Sequence, residues 1–333
     1  MRKWISDRID DAMLPLLKLF APGYRRRLPP YRPTAELPRH ALTPLAQSLR
    51  PVELRLAAEP PWRGFKSERF TFVSPFEGGP EHNRLVRGRL LHAGHEAPWA
   101  VVVPGYATGA TPPHNYGPFQ ERQGWALLRC GVSVALIDLP YHLSRRAPGR
   151  ASGEGFFSPD LQATQEAVLQ SALDLIALIR WLRRHTGRPV ALWGISLGGC
   201  IAGLAASQVA ELSGLLLMEP LDNPGDIMAS LPATREIREV LAAHGVESSG
   251  LHRFFAGVAP SSYQPAVARE RILFVTADWD RVVRAEFQEA FWERWGRPAR
   301  IRRPAGHVLL ITDRAVNEQA AEVLAGWLRQ APA

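Results

Sequence analysis

The chain has 333 residues, 46% of them hydrophobic and 22% charged, ordinary proportions for a globular protein and enough to bury a large core. Its net charge of +8 comes from 40 basic against 32 acidic residues, but the arginines are spread along the whole chain without aromatic interleaving, which excludes a nucleic-acid module. Two cysteines, Cys130 and Cys200, are too few for a disulfide framework or a thiolate metal site, and no apolar run is long enough to span a bilayer.

In chain order, residues 1–21 place Ile5, Ile9, Met13, Leu16, Leu17 and Phe20 near one face of a helix, with Pro15 expected to kink it. Asp7, Arg8, Asp10 and Asp11 break any signal-peptide core, so a cytoplasmic location is the default expectation. The helix is expected to dock on its own domain in preference to lying on a membrane surface with Arg25, Arg26 and Arg27 at the headgroups, because its apolar face is short and its opposite face carries acids. Residues 29–61 hold eight prolines, which disfavour regular structure and predict an extended arm wrapped on the domain. Residues 1–66 therefore form an N-terminal extension, and 67–333 the main domain.

Within that domain, residues 68–73 and 84–92 read as an antiparallel strand pair around Glu77-Gly78-Gly79-Pro80. Apolar runs at 100–103, 132–137, 190–193, 215–218, 272–275 and 300–303 then alternate with helical segments, which predicts an α/β fold with a mostly parallel sheet of about eight strands. The longest helix is predicted over 161–184, opened by the capping signal Ser158-Pro159-Asp160. About fifty residues separate the sixth of these strands from the seventh, far more than a crossover needs. They predict a helical cap over about 221–268, with helices at 226–231 and 233–244 and a return loop at 261–265. Arg145, Arg146 and Arg150 after the fourth strand read as a solvated loop in preference to an anion clamp.

The chemistry centres on Gly194-Ile195-Ser196-Leu197-Gly198, placed between the apolar run 190–193 and the small-residue run 199–206. A Gly-x-Ser-x-Gly at a strand-to-helix junction makes a turn so sharp that side chains two residues before and after the serine would collide. The turn lifts the hydroxyl clear of the backbone. A serine needs a base to remove its proton and a third group to orient that base. Asp278 and Asp280 lie just past the strand ending near residue 276, where open α/β sheets keep their ligands, and with Glu219 they are the candidates for the orienting acid. His307, in the loop after the last strand, is preferred as base over His142 and His114. The Leu197 amide, at a helix start, is one donor for an oxyanion. No histidine-and-acid spacing matches a zinc motif, so hydrolysis without metal or cofactor is expected.

These residues resemble the α/β-hydrolase superfamily over roughly residues 67–333. The serine, acid and histidine follow in that superfamily's order, and Ala277-Asp278-Trp279-Asp280-Arg281-Val282-Val283 resembles its Gly-x-x-Asp-x-Val-Val segment. Gly306-His307 is similar to the pair that carries the base, and Asp138-Leu139-Pro140-Tyr141-His142 is most similar to bacterial dienelactone-hydrolase and acetyl-esterase types. The resemblance implies that Ser196, His307 and Asp280 form a triad. It also implies a second oxyanion donor after 100–103, where Pro104-Gly105-Tyr106 replaces the usual histidine-glycine start and leaves the Tyr106 amide as donor. Trp279 and His142 are candidate substrate contacts, and Trp193, Phe156 and Phe157 packing residues. The expected function is a serine esterase acting on a small-molecule ester. The alternatives are a catalytically silent scaffold binding a small apolar ligand, or a membrane-surface lipase or acyltransferase.

Overall fold

The computed structural model describes residues 2–19, 28–32, 36–109 and 117–331. Phe20, Arg25, Arg26, Arg27 and His114, and the side chains of Met13, Pro15, Leu16 and Leu17, lie outside what is described.

Nine strands form one sheet: β1 (Arg55–Trp62), β2 (Phe65–Val73), β3 (Leu85–His92), β4 (Trp99–Val103), β5 (Ser133–Ile137), β6 (Val190–Ile195), β7 (Gly214–Met218), β8 (Ile272–Ala277) and β9 (Ala299–Arg303). Their spatial order is β1-β2-β3-β5-β4-β6-β7-β8-β9. The strands from β5 to β9 run parallel, and β1, β2 and β3 join antiparallel at one end. Beyond β4 the strand order reverses. An α/β sheet opens a crevice at such a reversal, outside the carboxyl ends of its strands, here between the loops that follow β4 and β6.

Period-two alternation sends the strand side chains to two cores. Val101, Val103, Leu192, Leu215, Leu217 and Phe274 face the side covered by the helices Leu161–Thr186 and Leu197–Ala206. Val102, Trp193, Leu216, Met218 and Val275 face the side covered by Gly117–Arg129 and Arg314–Gln330. The Leu161–Thr186 helix starts where the sequence predicts it: Asp160 accepts from the Ala163 amide at 3.1 Å, and Gly187, at φ 64°, ends it in the left-handed conformation. Between β7 and β8 stand the helices Pro224–Ser230, Arg235–Ala243 and Ser248–Phe254, the last of which the sequence reading missed.

The structure departs from expectation in three places. Residues 55–62 are not irregular: they form the edge strand β1, whose pairing with β2 is irregular between Glu59 and Trp62, where Pro60 and Pro61 sit, the position an edge strand tolerates. In the N-terminal helix, Arg2–Leu19, the buried side chains among those described are polar. Ser6 and Asp10 are buried, whereas Trp4 is 64% and Ile5 40% exposed. The third departure is Arg145, which is not solvated but buried against Asp174, with Nη2 to Oδ2 at 2.9 Å.

The arm does run along the domain. Arg32 pairs with Asp160, Leu42 donates its amide to the Tyr263 hydroxyl at 3.2 Å, and Arg180 donates to the Ala46 carbonyl at 3.0 Å.

The Arg145–Asp174 pair anchors a buried network. Arg145 donates to the carbonyls of Asp138 and Asn83, Ser74 donates to Asp174 at 2.6 Å, and Gln170 donates to Ser74 and Asn83. It ties the loop after β5 to the longest helix. Asp174→Ala leaves a buried guanidinium without its counter-charge and should cost about 3–5 kcal/mol in urea unfolding. Arg145→Met with Asp174→Leu should recover most of that loss, and a loss under about 1 kcal/mol for the single variant would contradict the role assigned to the pair.

Candidate active site

Ser196 sits between β6 and the Leu197–Ala206 helix with φ 54° and ψ −115°. Its neighbours explain both elbow glycines. A Cβ on Gly194 would lie 2.3 Å from the Gly198 carbonyl oxygen, and one on Gly198 would lie 2.2 Å from that of Val103. Positive φ recurs along the same edge, at Ala107 after β4, Tyr141 and Leu143 after β5, and Glu219 after β7. Non-glycine residues hold such angles at a cost of about 1–3 kcal/mol each, and they cluster where function demands a shape.

Asp280 and His307 meet across the loops after β8 and β9. His307 Nδ1 lies 2.7 Å from Asp280 Oδ2, and both residues are buried. Three further donors hold the carboxylate: the amides of Val282 and Val283, each 2.8 Å from Oδ1, and Gln288 Nε2, 2.8 Å from Oδ2. Burial pushes the Asp280 carboxyl up, and the imidazole charge and these donors oppose that. Burial likewise disfavours a charged His307, but the Asp280 charge and hydrogen bond, aided by Asp10, outweigh it and hold the imidazole above its ordinary value. Asp278 is turned away and paired with Arg302.

Glu219 follows β7, fully buried, with Oε2 3.5 Å from His307 Nδ1. Neither of its carboxylate oxygens has a hydrogen-bond partner. Burial, then the charges of Asp280 and Asp10, push it well above the glutamate range, which favours its neutral form. Among the described residues, Glu219, Asp280 and His307 are the group whose ligand atoms lie close enough together for a metal, within 4.8 Å. The 2.7 Å contact between two of them is a hydrogen bond: ligands held about 2.0–2.2 Å from a zinc ion at tetrahedral angles stand roughly 3.4 Å apart.

The remaining sequence-selected residues are placed as follows. A Cβ on Gly105 would lie 3.5 Å from Ser196 Cβ, so the loop after β4 runs beside the serine. Neither the Leu197 nor the Tyr106 amide donates a hydrogen bond among the described residues. The Tyr106 ring packs edge-on to His142 and tilted against Phe157. His142 is fully buried beneath it, with Nδ1 2.8 Å from the Pro140 carbonyl, and burial pushes it down to about 4. It is a neutral ring inside the loop and not a group on an open rim. Trp279 is half-buried, while Trp193, Phe156 and Phe157 are core. Ser196 Oγ and His307 Nε2 make no hydrogen bond among the described residues.

Two contributors escaped the sequence reading. Gln288 carries no motif. Asp10 was noticed only as an interruption of apolar sequence.

No family profile matches the chain. An uncharacterized protein of Mycobacterium tuberculosis, strain H37Rv, is 27% identical over 253 residues, 72% of this chain and 57% of its own length. The chain thus spans little more than half the length of the mycobacterial relatives it matches. Among solved structures, acetyl xylan esterase 1 from Thermoanaerobacterium sp. JW/SL YS485 superposes with a TM-score of 0.63 at 13% identity, covering 92% of this chain and 98% of that one. An acetyl xylan esterase from Paenibacillus sp. R4 gives 0.60 at 16%, covering 86% and 94%.

The pH dependence of stability tests the neutral state of Glu219. Its raised value means that the folded protein keeps a proton which the unfolded chain releases, so stability falls as pH rises above the ordinary glutamate range. Glu219→Gln removes that cost and should raise Tm by a few degrees at about pH 8 and by less at about pH 4.5. An unchanged or lowered Tm at the higher pH would mean that Glu219 is ionised.

Proposed function

From a chain folded as an α/β-hydrolase, we propose that the protein is a serine hydrolase of carboxylic esters, acting through Ser196, His307 and Asp280. The observation that carries this reading is the serine held at φ 54° on the edge where a buried imidazole is bonded to a buried carboxylate. That two solved structures sharing the fold are acetyl xylan esterases supports the ester class.

His307 Nε2 accepts the Ser196 proton as Oγ attacks the ester carbonyl carbon. The negative charge that develops on the carbonyl oxygen is held by the Leu197 and Tyr106 amides, the first reinforced by the dipole of the Leu197–Ala206 helix. The imidazolium formed is stabilised by Asp280, whose four donors keep it from swinging. Collapse of the tetrahedral intermediate expels the alcohol, which takes the proton from His307. Water then repeats the sequence on the acyl-enzyme, with His307 as its base, and restores Ser196.

Because His307 is held above its ordinary value, the neutral base is present only above the pH at which free imidazole titrates. The acid limb of kcat/KM for a short p-nitrophenyl ester should lie there, above about 6.5. Ser196→Ala and His307→Ala should each lower kcat by about 10⁴-fold or more, and Ser196→Ala should abolish labelling by a fluorophosphonate. Wild-type protein that folds but neither turns over esters nor takes the label would be a ligand-binding scaffold, and the proposal would fail.

A further inference from the structure

The N-terminal helix reaches into the loops that carry the acid and the base. Asp10 is fully buried there. Its Oδ2 accepts from the His307 amide at 3.0 Å and the Arg281 amide at 3.3 Å, and its Oδ1 accepts from the Val308 amide at 3.2 Å. Arg281 directly follows Asp280, and His307 is the base itself, so one carboxylate spans both halves of the dyad. The fit is close: a Cβ on Gly306 would lie 2.7 Å from Asp10 Oδ2, which makes that glycine a seat for the acid. Outside, Arg281 Nη1 pairs with Asp11 at 2.7 Å and closes the contact.

A helix that merely covered apolar surface would bury its apolar residues. Among the described side chains of this helix, Ser6 and Asp10 are buried while Trp4 and Ile5 are exposed. What it delivers to the domain is a carboxylate.

We propose that Asp10 is a positioning residue for the reaction: it ties the loop after β8 to the first turn after Gly306, so that the N-terminal helix is a working part of the active site. The proposal rests on the reading of Ser196, Asp280 and His307 as a hydrolytic triad. Asp10 has two effects. It fixes where the His307 ring stands relative to Asp280, and its negative charge favours the imidazolium that forms when Ser196 gives up its proton. The charged and titratable groups facing His307 are Asp280 from the loop after β8, Glu219 from the end of β7 and Asp10 from the N-terminal helix. Of these, the charges of Asp280 and Asp10 favour the protonated ring.

The sign follows. Removing the Asp10 charge lowers the pH at which His307 titrates. It moves the acid limb of kcat/KM to lower pH, while kcat on the plateau falls because the imidazolium in the transition state has lost a counter-charge. Asp10→Asn keeps the shape and Asp10→Ser keeps an acceptor for one amide; both remove the charge. Each is compared in the full chain with wild type and with Lys3→Ala, on the outer face of the same helix. Readouts are Tm, the pH profile of kcat and KM, and the NMR titration of the His307 ring. Expected are a His307 titration displaced to lower pH in both charge-removing variants, a kcat lower by about tenfold to a hundredfold with KM little changed, and a Lys3→Ala protein like wild type.

An Asp10→Asn or Asp10→Ser protein that folds and matches the wild-type titration and profile overturns the proposal. So does failure of both to fold, which would make Asp10 a residue of the fold alone. Should wild type show no esterase activity, the triad reading fails by itself, and the NMR titration still decides whether Asp10 governs the ring.

Discussion

One buried contact, His307 Nδ1 to Asp280 Oδ2 at 2.7 Å, sets the terms for everything around it. A carboxylate taken out of water is tolerable only if its lone pairs are met, and two backbone amides, a glutamine and the imidazole meet them. A second anion beside it is disfavoured, and burial with the neighbouring charges pushes Glu219, 3.5 Å from the same nitrogen, toward its protonated form. Asp10 is tolerated because three backbone amides solvate it.

The sheet makes these encounters possible. Met218 lies beside Ile195 on one side and Val275 on the other, so the residues just past β6, β7 and β8 emerge next to one another. The Ser196 amide donates to the Met218 carbonyl and the Glu219 amide to that of Val275. These bonds pin residues at 54° and 46° in φ to the fully buried ends of β7 and β8. Strain at the edge is held against a packed core, which keeps Ser196 in that conformation.

Much of this was legible in the sequence because local rules act strongly there. The elbow glycines are dictated by contacts under 2.5 Å. The parallel strands are continuous apolar runs because both faces are buried, and the helices between β7 and β8 are announced by a connection too long for a crossover. Where reading failed, the deciding contact was remote. Two prolines suggest an irregular arm until β2 offers an edge on which they are harmless. Arg145 reads as solvated until Asp174, a helix away, is folded against it. Asp10 looks like a blemish on an amphipathic helix because its partners are backbone amides about 270 and 300 residues on, and backbone amides leave no signature in composition.

The central claim is that Ser196 forms a covalent acyl intermediate while His307 shuttles its proton. Acid-quenching the protein during turnover of p-nitrophenyl acetate, then mapping the acetyl group by peptide mass spectrometry, tests this most directly. The account predicts one acetyl group on the peptide containing Ser196, accumulating in the steady state and absent from His307→Ala. Turnover with no acyl adduct, or with the acetyl group on another side chain, would contradict it.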